Sequence, residues 1–114
     1  MGLFSRKPST VKDLSPADVA RGLTEGKIML VDVREPNEVA AAAYPDAIQM
    51  PMSRFDPAAL PDPGGKQVVF ACGSGKRSMA ASLATQEAGL PYDAHLEGGM
   101  KAWRETGLPV KSEG

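Results

Sequence analysis

The chain has one cysteine, one histidine and one tryptophan in 114 residues. A single cysteine excludes an internal disulfide framework, a Cys-x-x-Cys redox pair and a cysteine-cluster metal site. Aromatic residues are only 5% of the chain, so Ala, Val, Leu and Met must fill much of the core. No sign of charge dominates: 13 Lys plus Arg face 14 Asp plus Glu, a formal net charge of -1. That balance gives no reason to expect a nucleic acid or an anionic membrane surface as partner. There is no repeat with a 20–50 residue period and no low-complexity segment. After MGLFSRKPST comes no apolar stretch that could serve as a signal or a membrane span. Gly2 does not begin a myristoylation motif, because Arg6 stands where that motif needs Ser or Thr. The expectation is a protein of a cytoplasmic, reducing compartment, in which the lone thiol stays free.

What is present reads as one domain. Hydrophobic residues are 42% and charged residues 24%, the mixture of a globular core with a solvated surface. Residues 1–10 read as a flexible, weakly basic lead-in and residues 11–111 as the domain. Ser15-Pro16 is a helix start, with Ser15 as N-cap, Pro16 in the first turn and Asp18 completing a capping box. Gly22 and Gly26 limit that helix to about two turns. Ile28 to Val33 (IMLVDV) is an apolar run of the kind buried in a parallel sheet. Glu35-Pro36 followed by Val39 and four alanines reads as a short helix. Asp56-Pro57 repeats the cap-then-proline signature, and Pro61 to Gly65 is a turn cluster. Val68 to Ala71 is a second buried strand, closed by Cys72. Ser78 to Ala88 is rich in helix formers, with Gly89 as its C-terminal stop. Ala94 to Leu96 reads as a further short strand and Met100 to Thr106 as a last helix. Strands alternating with helices imply an α/β layered domain on a mainly parallel sheet.

The chemistry concentrates at Cys72. In such sheets, sites form where a strand ends and the next helix begins. The thiolate is the reactive form, and a helix N-terminus lowers a thiol pKa. Gly73 and Gly75 clear side chains from the loop, so its backbone N–H groups are free to cradle an anion beside the sulfur. Between Asp62 and Glu87 the chain carries Lys66, Lys76 and Arg77 and no acidic residue. A lone cysteine is usually just a small buried apolar group. Its place at a strand end, before two glycines and two cations, points instead to a nucleophile. Lys76 and Arg77 oppose the dipole at a helix start, an unfavourable local choice that suggests a functional reason. GSGKRS is not a nucleotide-binding P-loop, because Phe70 and Arg77 stand where that motif needs Gly and Ser or Thr.

Four segments carry a family resemblance. They are Leu30-Val31-Asp32-Val33-Arg34-Glu35 with Glu38; Pro45 to Pro51; Cys72-Gly73-Ser74-Gly75-Lys76-Arg77-Ser78; and Leu96 to Trp103 followed by Gly107-Leu108-Pro109-Val110. In this order and spacing, over about residues 10–110, the chain resembles a single-domain rhodanese, a thiosulfate or persulfide sulfurtransferase. The resemblance implies a five-stranded, mainly parallel sheet flanked by helices on both faces, with Cys72 at the end of a central strand. It implies that Cys72 takes a sulfane sulfur from a small donor such as thiosulfate or a persulfide and passes it to a thiophilic acceptor, cyanide or a thiol. Gly73, Ser74, Gly75, Lys76, Arg77 and Ser78 would bind the substrate, and no metal or organic cofactor is needed. Asp32 and Arg34 are expected as a supporting ion pair, with Glu38 joining Arg34 at i+4 spacing.

His95 has no spacing that places it by Cys72, so a solvent-facing or hydrogen-bonded structural histidine is expected. Trp103 is expected to anchor the core from the last helix. One departure stands out. The family often has Gly-His-Ile before the proline that matches Pro45, and this chain has Ala42-Ala43-Tyr44. The resemblance gives that missing histidine, at Ala43, a supporting part, so catalysis is expected to survive. Two rival readings remain. One is a phosphatase or arsenate reductase on the same scaffold, whose loop is Cys-x5-Arg where this chain has Cys-x4-Arg. The other is a non-catalytic module that carries or senses persulfide or docks a partner protein.

Overall fold

The computed structural model describes residues 10–112. The lead-in assigned to residues 1–10 therefore lies, but for Thr10, outside the described residues. Five strands form one sheet, and every pairing in it is parallel. They are β1 (Lys12–Leu14), β2 (Ile28–Asp32), β3 (Ile48–Gln49), β4 (Gln67–Ala71) and β5 (Ala94–Leu96), in the spatial order β1-β5-β4-β2-β3. Between them run helices α1 (Pro16–Thr24), α2 (Pro36–Ala41) and α3 (Lys76–Glu87), and α4 (Gly99–Glu105) follows β5. No helix among the described residues is long and apolar enough to cross a membrane.

The period of two along the central strands divides the core into two layers. Ile28 and Leu30 of β2, Val69 and Ala71 of β4 and Ala94 and Leu96 of β5 face Val19 of α1 and Met100 and Trp103 of α4. Val31 and Val33, then Val68, Phe70 and Cys72, face the other way, toward Ala81 of α3. The sheet thus carries helices on both faces. Tyr44 and Trp103 meet edge-to-face with ring centroids 5.4 Å apart. Such a pair adds about 0.5–1.5 kcal/mol beyond its buried area.

Local signals account for the helix ends. Ser15 Oγ accepts from Asp18 N–H at 3.1 Å and caps α1. The Asp18 carboxylate does not complete the expected box; it pairs with Arg21 at 3.1 Å. α2 stops two residues before the alanine run ends, because Ala43 leaves to form an antiparallel bridge with Lys111. α3 presents Ser78, Ala81, Ser82 and Thr85 inward, an i, i+3, i+4, i+7 face of small side chains. Their hydroxyls are satisfied locally: Ser82 donates to Tyr92 O at 2.7 Å and Thr85 to Ser82 O at 2.8 Å. A helix with so little bulk on its inner face lies close to the sheet. That brings its first turn against the end of β4.

Candidate active site

Cys72 follows directly on β4, in the middle of the sheet, and the loop 73–75 leads straight into α3. Gly75 is the N-cap of α3 with φ +108°, a backbone that favours glycine over any L side chain. A Cβ there would meet only ordinary contacts, Gly98 N at 3.4 Å and the His95 ring at 3.6 Å, so the backbone angle alone favours glycine. The turn folds the loop back over the sulfur. Gly75 N–H donates to Cys72 Sγ at 3.1 Å and Ser78 N–H at 3.3 Å. Ser78 Oγ lies 3.5 Å from the same sulfur. Burial pushes the Cys72 thiol up. Hydrogen bonds from the Ser78 side chain and from the Ser78, Gly75 and Ser74 N–H groups outweigh that, so its pKa falls below the ordinary value. Cys72 is 0% exposed, so its sulfur sits beneath the loop rather than at its mouth.

The loop is held from behind by groups outside it. Cys72 O accepts from Tyr44 Oη at 2.6 Å and from Met100 N–H at 2.9 Å. Gly73 O accepts from Lys101 N–H at 3.2 Å. These contacts require Gly99 (φ +59°), where a Cβ would lie 2.5–2.6 Å from the Cys72 and Gly73 carbonyl atoms. The first turn of α4 therefore seats directly on the loop. Tyr44 is the buried aromatic residue of the Ala42-Ala43-Tyr44 departure, and burial keeps its phenol protonated. It supplies a loop support that the sequence reading did not anticipate.

Asp32 and Arg34 lie at the end of the neighbouring strand and are bound to each other. Arg34 Nη2 donates to Asp32 Oδ2 at 2.8 Å and Nε to Oδ1 at 3.0 Å. The second Nη2 contact is Ala42 O at 2.8 Å, and the guanidinium stacks 5.0 Å from the Tyr44 ring centroid. Asp32 is 1% exposed and Arg34 3%, so neither reaches the loop mouth.

One expectation is corrected. Glu38 does not join Arg34 through its carboxylate; only its main-chain oxygen approaches, at 3.5 Å. The i+4 rule applies within a helix, and Arg34 precedes α2, whose N-cap Glu35 is extended. The Glu38 carboxylate instead receives both prongs of Arg77, at 2.6 and 2.9 Å. The Arg77 hydrogen bonds hold Glu38 down to about 2, and Glu38 in turn raises Arg77. Arg77 is thus closed on α2 and not held open for an incoming anion. Ser74 and Lys76 are exposed and Gly73 half-buried.

Of the two alternatives expected for His95, the structure shows the hydrogen-bonded one and not the solvent-facing one. His95 is 3% exposed, and its Nδ1 lies 2.8 Å from Ser78 Oγ, one residue removed from the thiol. The period-two signal was present in the sequence: Ala94 and Leu96 face the α4 layer, which turns His95 toward α3. What was missing was the parallel placement of β5 beside β4.

The sequence profile of the rhodanese-like domain family matches residues 15–106. A protein named sulfurtransferase from Allochromatium vinosum is 37% identical over 83 residues, 73% of this chain and 78% of that protein. An uncharacterized protein of Synechocystis sp. is 39% identical over 103 residues. The match covers 90% of this chain but only 53% of that relative, so the chain spans about half its length. Among solved structures, a protein of unknown function from Rhodopseudomonas palustris, described as a possible tyrosine phosphatase, superposes with a TM-score of 0.75. It is 30% identical, and the match covers 89% of this chain and 85% of that one.

Proposed function

We propose that this chain, which belongs to the rhodanese-like domain family, is a sulfurtransferase that carries the transferred sulfur as a persulfide on Cys72. The observation that carries the reading is the convergence of the Gly75 and Ser78 N–H groups and the Ser78 hydroxyl on Cys72 Sγ. Donors aimed at a sulfur atom stabilise a thiolate before attack and a persulfide anion after it. The thiolate attacks the outer sulfur of a donor such as thiosulfate. The donor's S–S bond breaks, and sulfite leaves with the electron pair. An acceptor, cyanide or a thiol, then attacks the outer sulfur of the Cys72 persulfide and restores the thiolate. With one cysteine in the chain, no second thiol here resolves the persulfide, so the acceptor comes from outside. Because Cys72 is 0% exposed, the donor's outer sulfur enters the cradle only as the loop yields around it.

The likeness to a possible tyrosine phosphatase raises phosphoryl transfer as a second reading. Loop size favours sulfur. With four residues between Cys72 and Arg77, the N–H groups close on the sulfur itself, and Glu38 occupies the fork a phosphate would need.

Steady-state rates with thiosulfate and cyanide test the reading. Covalent ping-pong transfer gives parallel double-reciprocal lines, no hydrolysis of an aryl phosphate, and no thiocyanate once Cys72 is alkylated. Converging lines, or aryl phosphate turnover at a comparable rate, overturn it. A module that only carries persulfide gains sulfur without turning over cyanide.

A further inference from the structure

The mechanism above uses Cys72 and the loop but gives the thiol proton no place to go. Cys72 is 0% exposed, so with the loop closed over the sulfur no water reaches that proton directly. A continuous row of polar atoms leads away from it. Ser78 Oγ is 3.5 Å from Cys72 Sγ, His95 Nδ1 is 2.8 Å from Ser78 Oγ, and Asp13 Oδ1 is 2.7 Å from His95 Nε2. The four residues come from four elements, Cys72 from the end of β4. Asp13 and His95 are register partners on β1 and β5, and Ser78 lies in the first turn of α3. The row ends at the surface, because the Asp13 side chain is 52% exposed.

We propose that Asp13, His95 and Ser78 form a relay that takes the thiol proton of Cys72 and stores it on His95. The inference rests on Cys72 being the nucleophile of the proposed sulfur transfer. Hydrogen-bond chemistry fixes the direction. An ionised Asp13 only accepts, so His95 Nε2–H donates to it and Nδ1 is left as an acceptor. Ser78 has one hydroxyl proton and three neighbours. Gly75 O at 3.1 Å is farther away than His95 Nδ1, so the proton points to the imidazole. An oxygen lone pair then faces the thiol. In the transfer, the S–H bond breaks and its proton goes to Ser78 Oγ. The former Ser78 proton passes to His95 Nδ1, forming the new N–H bond. Thiol and neutral imidazole become thiolate and imidazolium, with no electrons exchanged. The Ser78 hydroxyl now donates to the thiolate, and Asp13 pairs with the imidazolium. Ser78 touches the reacting sulfur; His95 and Asp13 act through it and are positioning residues.

Other charged groups face the relay. Arg77, from α3, lies near Cys72, and Tyr44 donates to the Cys72 carbonyl. Lys76 and Glu97 line with Asp13 and His95 an open cavity of about 300 Å³. None of these lies in the hydrogen-bonded row, and the substitutions below leave them in place.

The test is the pH profile of Cys72 alkylation by iodoacetamide, a neutral reagent that needs no sulfur donor. His95→Asn keeps a short polar side chain for Ser78 but supplies no base. The profile midpoint should rise by about one unit, making alkylation at neutral pH about tenfold slower. The high-pH plateau should match the wild type and so report an intact, equally accessible site. Ser78→Ala should raise the midpoint at least as far, and the double variant should add nothing to it. A second readout uses the single histidine. ¹⁵N NMR should find its Nε2 protonated and its Nδ1 bare, the tautomer the relay requires. Alkylation profiles that coincide for His95→Asn and wild type, or a His95 with Nδ1 protonated and Nε2 bare, would overturn the relay. Thiocyanate production reports on sulfur transfer separately, so loss of one reading leaves the other open to its own test.

Discussion

Two adjacent strands of this sheet run parallel, and the chain treats their C-terminal ends in opposite ways. At the end of β2, Asp32 and Arg34 satisfy each other, and Arg34 Nη2 also donates to Ala42 O. Both are sealed from solvent and the charges cancel locally. At the end of β4 the polar groups are backbone N–H donors, and they converge on one sulfur. The lesson lies in where the charge is settled. A closed ion pair fixes the geometry of the layer beneath the loop. Unmatched donors leave a place where negative charge is welcome. The two arginines repeat the contrast, Arg34 being buried and paired with a buried carboxylate while Arg77 is 38% exposed and bound to a half-exposed one.

The comparison can be broken at either end. The largest effect is expected from Cys72→Ser, which leaves the donors but removes the accessible anion. Thiocyanate formation should vanish while thermal unfolding stays close to wild type. Turnover at a wild-type rate would place the chemistry elsewhere. Next comes Arg34→Met. It leaves the Asp32 carboxylate buried and unpaired, which costs about 3–5 kcal/mol. The midpoint of thermal unfolding should drop by more than about 10 °C. Alkylation of Cys72 in the remaining folded protein should keep its pH midpoint. A stable variant with a shifted thiol midpoint would mean that the β2 end acts on the sulfur.

A smaller effect separates Arg77 from its carboxylate. If the guanidinium turns to the donor's oxygens, Arg77→Ala raises the thiosulfate KM by an amount on the order of the 1.5–3 kcal/mol of a charged hydrogen bond. Glu38→Gln, which releases the fork, should leave KM equal or lower. Equal rises in both variants would show that the pair only ties α2 to the loop. The smallest effect is in acid. Glu38 titrates at about 2 in the folded chain, below its ordinary 4.5. Its stabilisation is therefore full above about 4.5 and is lost as pH falls through about 2. The stability gap between wild type and Glu38→Gln should shrink as pH falls from 5 to 2. A gap that widens reverses the sign of the account.

Most of the frame was legible because it rests on strong local signals. The runs of β2 and β4, the Ser15-Pro16 start and the glycine before α3 each have one plausible local structure. β1 and β3 were not legible from the residues themselves. They have three and two residues, and β1 reads Lys-Asp-Leu on an edge, with no period to detect. The resemblance alone supplied the count of five strands. At the loop, sequence spacing reached as far as Cys72 and its immediate neighbours. It misdirected Glu38, because a four-residue spacing means a shared face only inside a helix. It also missed Tyr44 and His95, whose partners are 28 and 17 residues away. Those contacts exist because the parallel crossovers fold distant segments onto one strand end.

The measurement that bears most directly on this account is the intact mass of the protein after incubation with thiosulfate. A reactive cradle at Cys72 predicts a gain of one sulfur, about 32 Da, removed by cyanide or dithiothreitol and absent in Cys72→Ser. No gain in the folded wild-type chain, or an equal gain in Cys72→Ser, would contradict it.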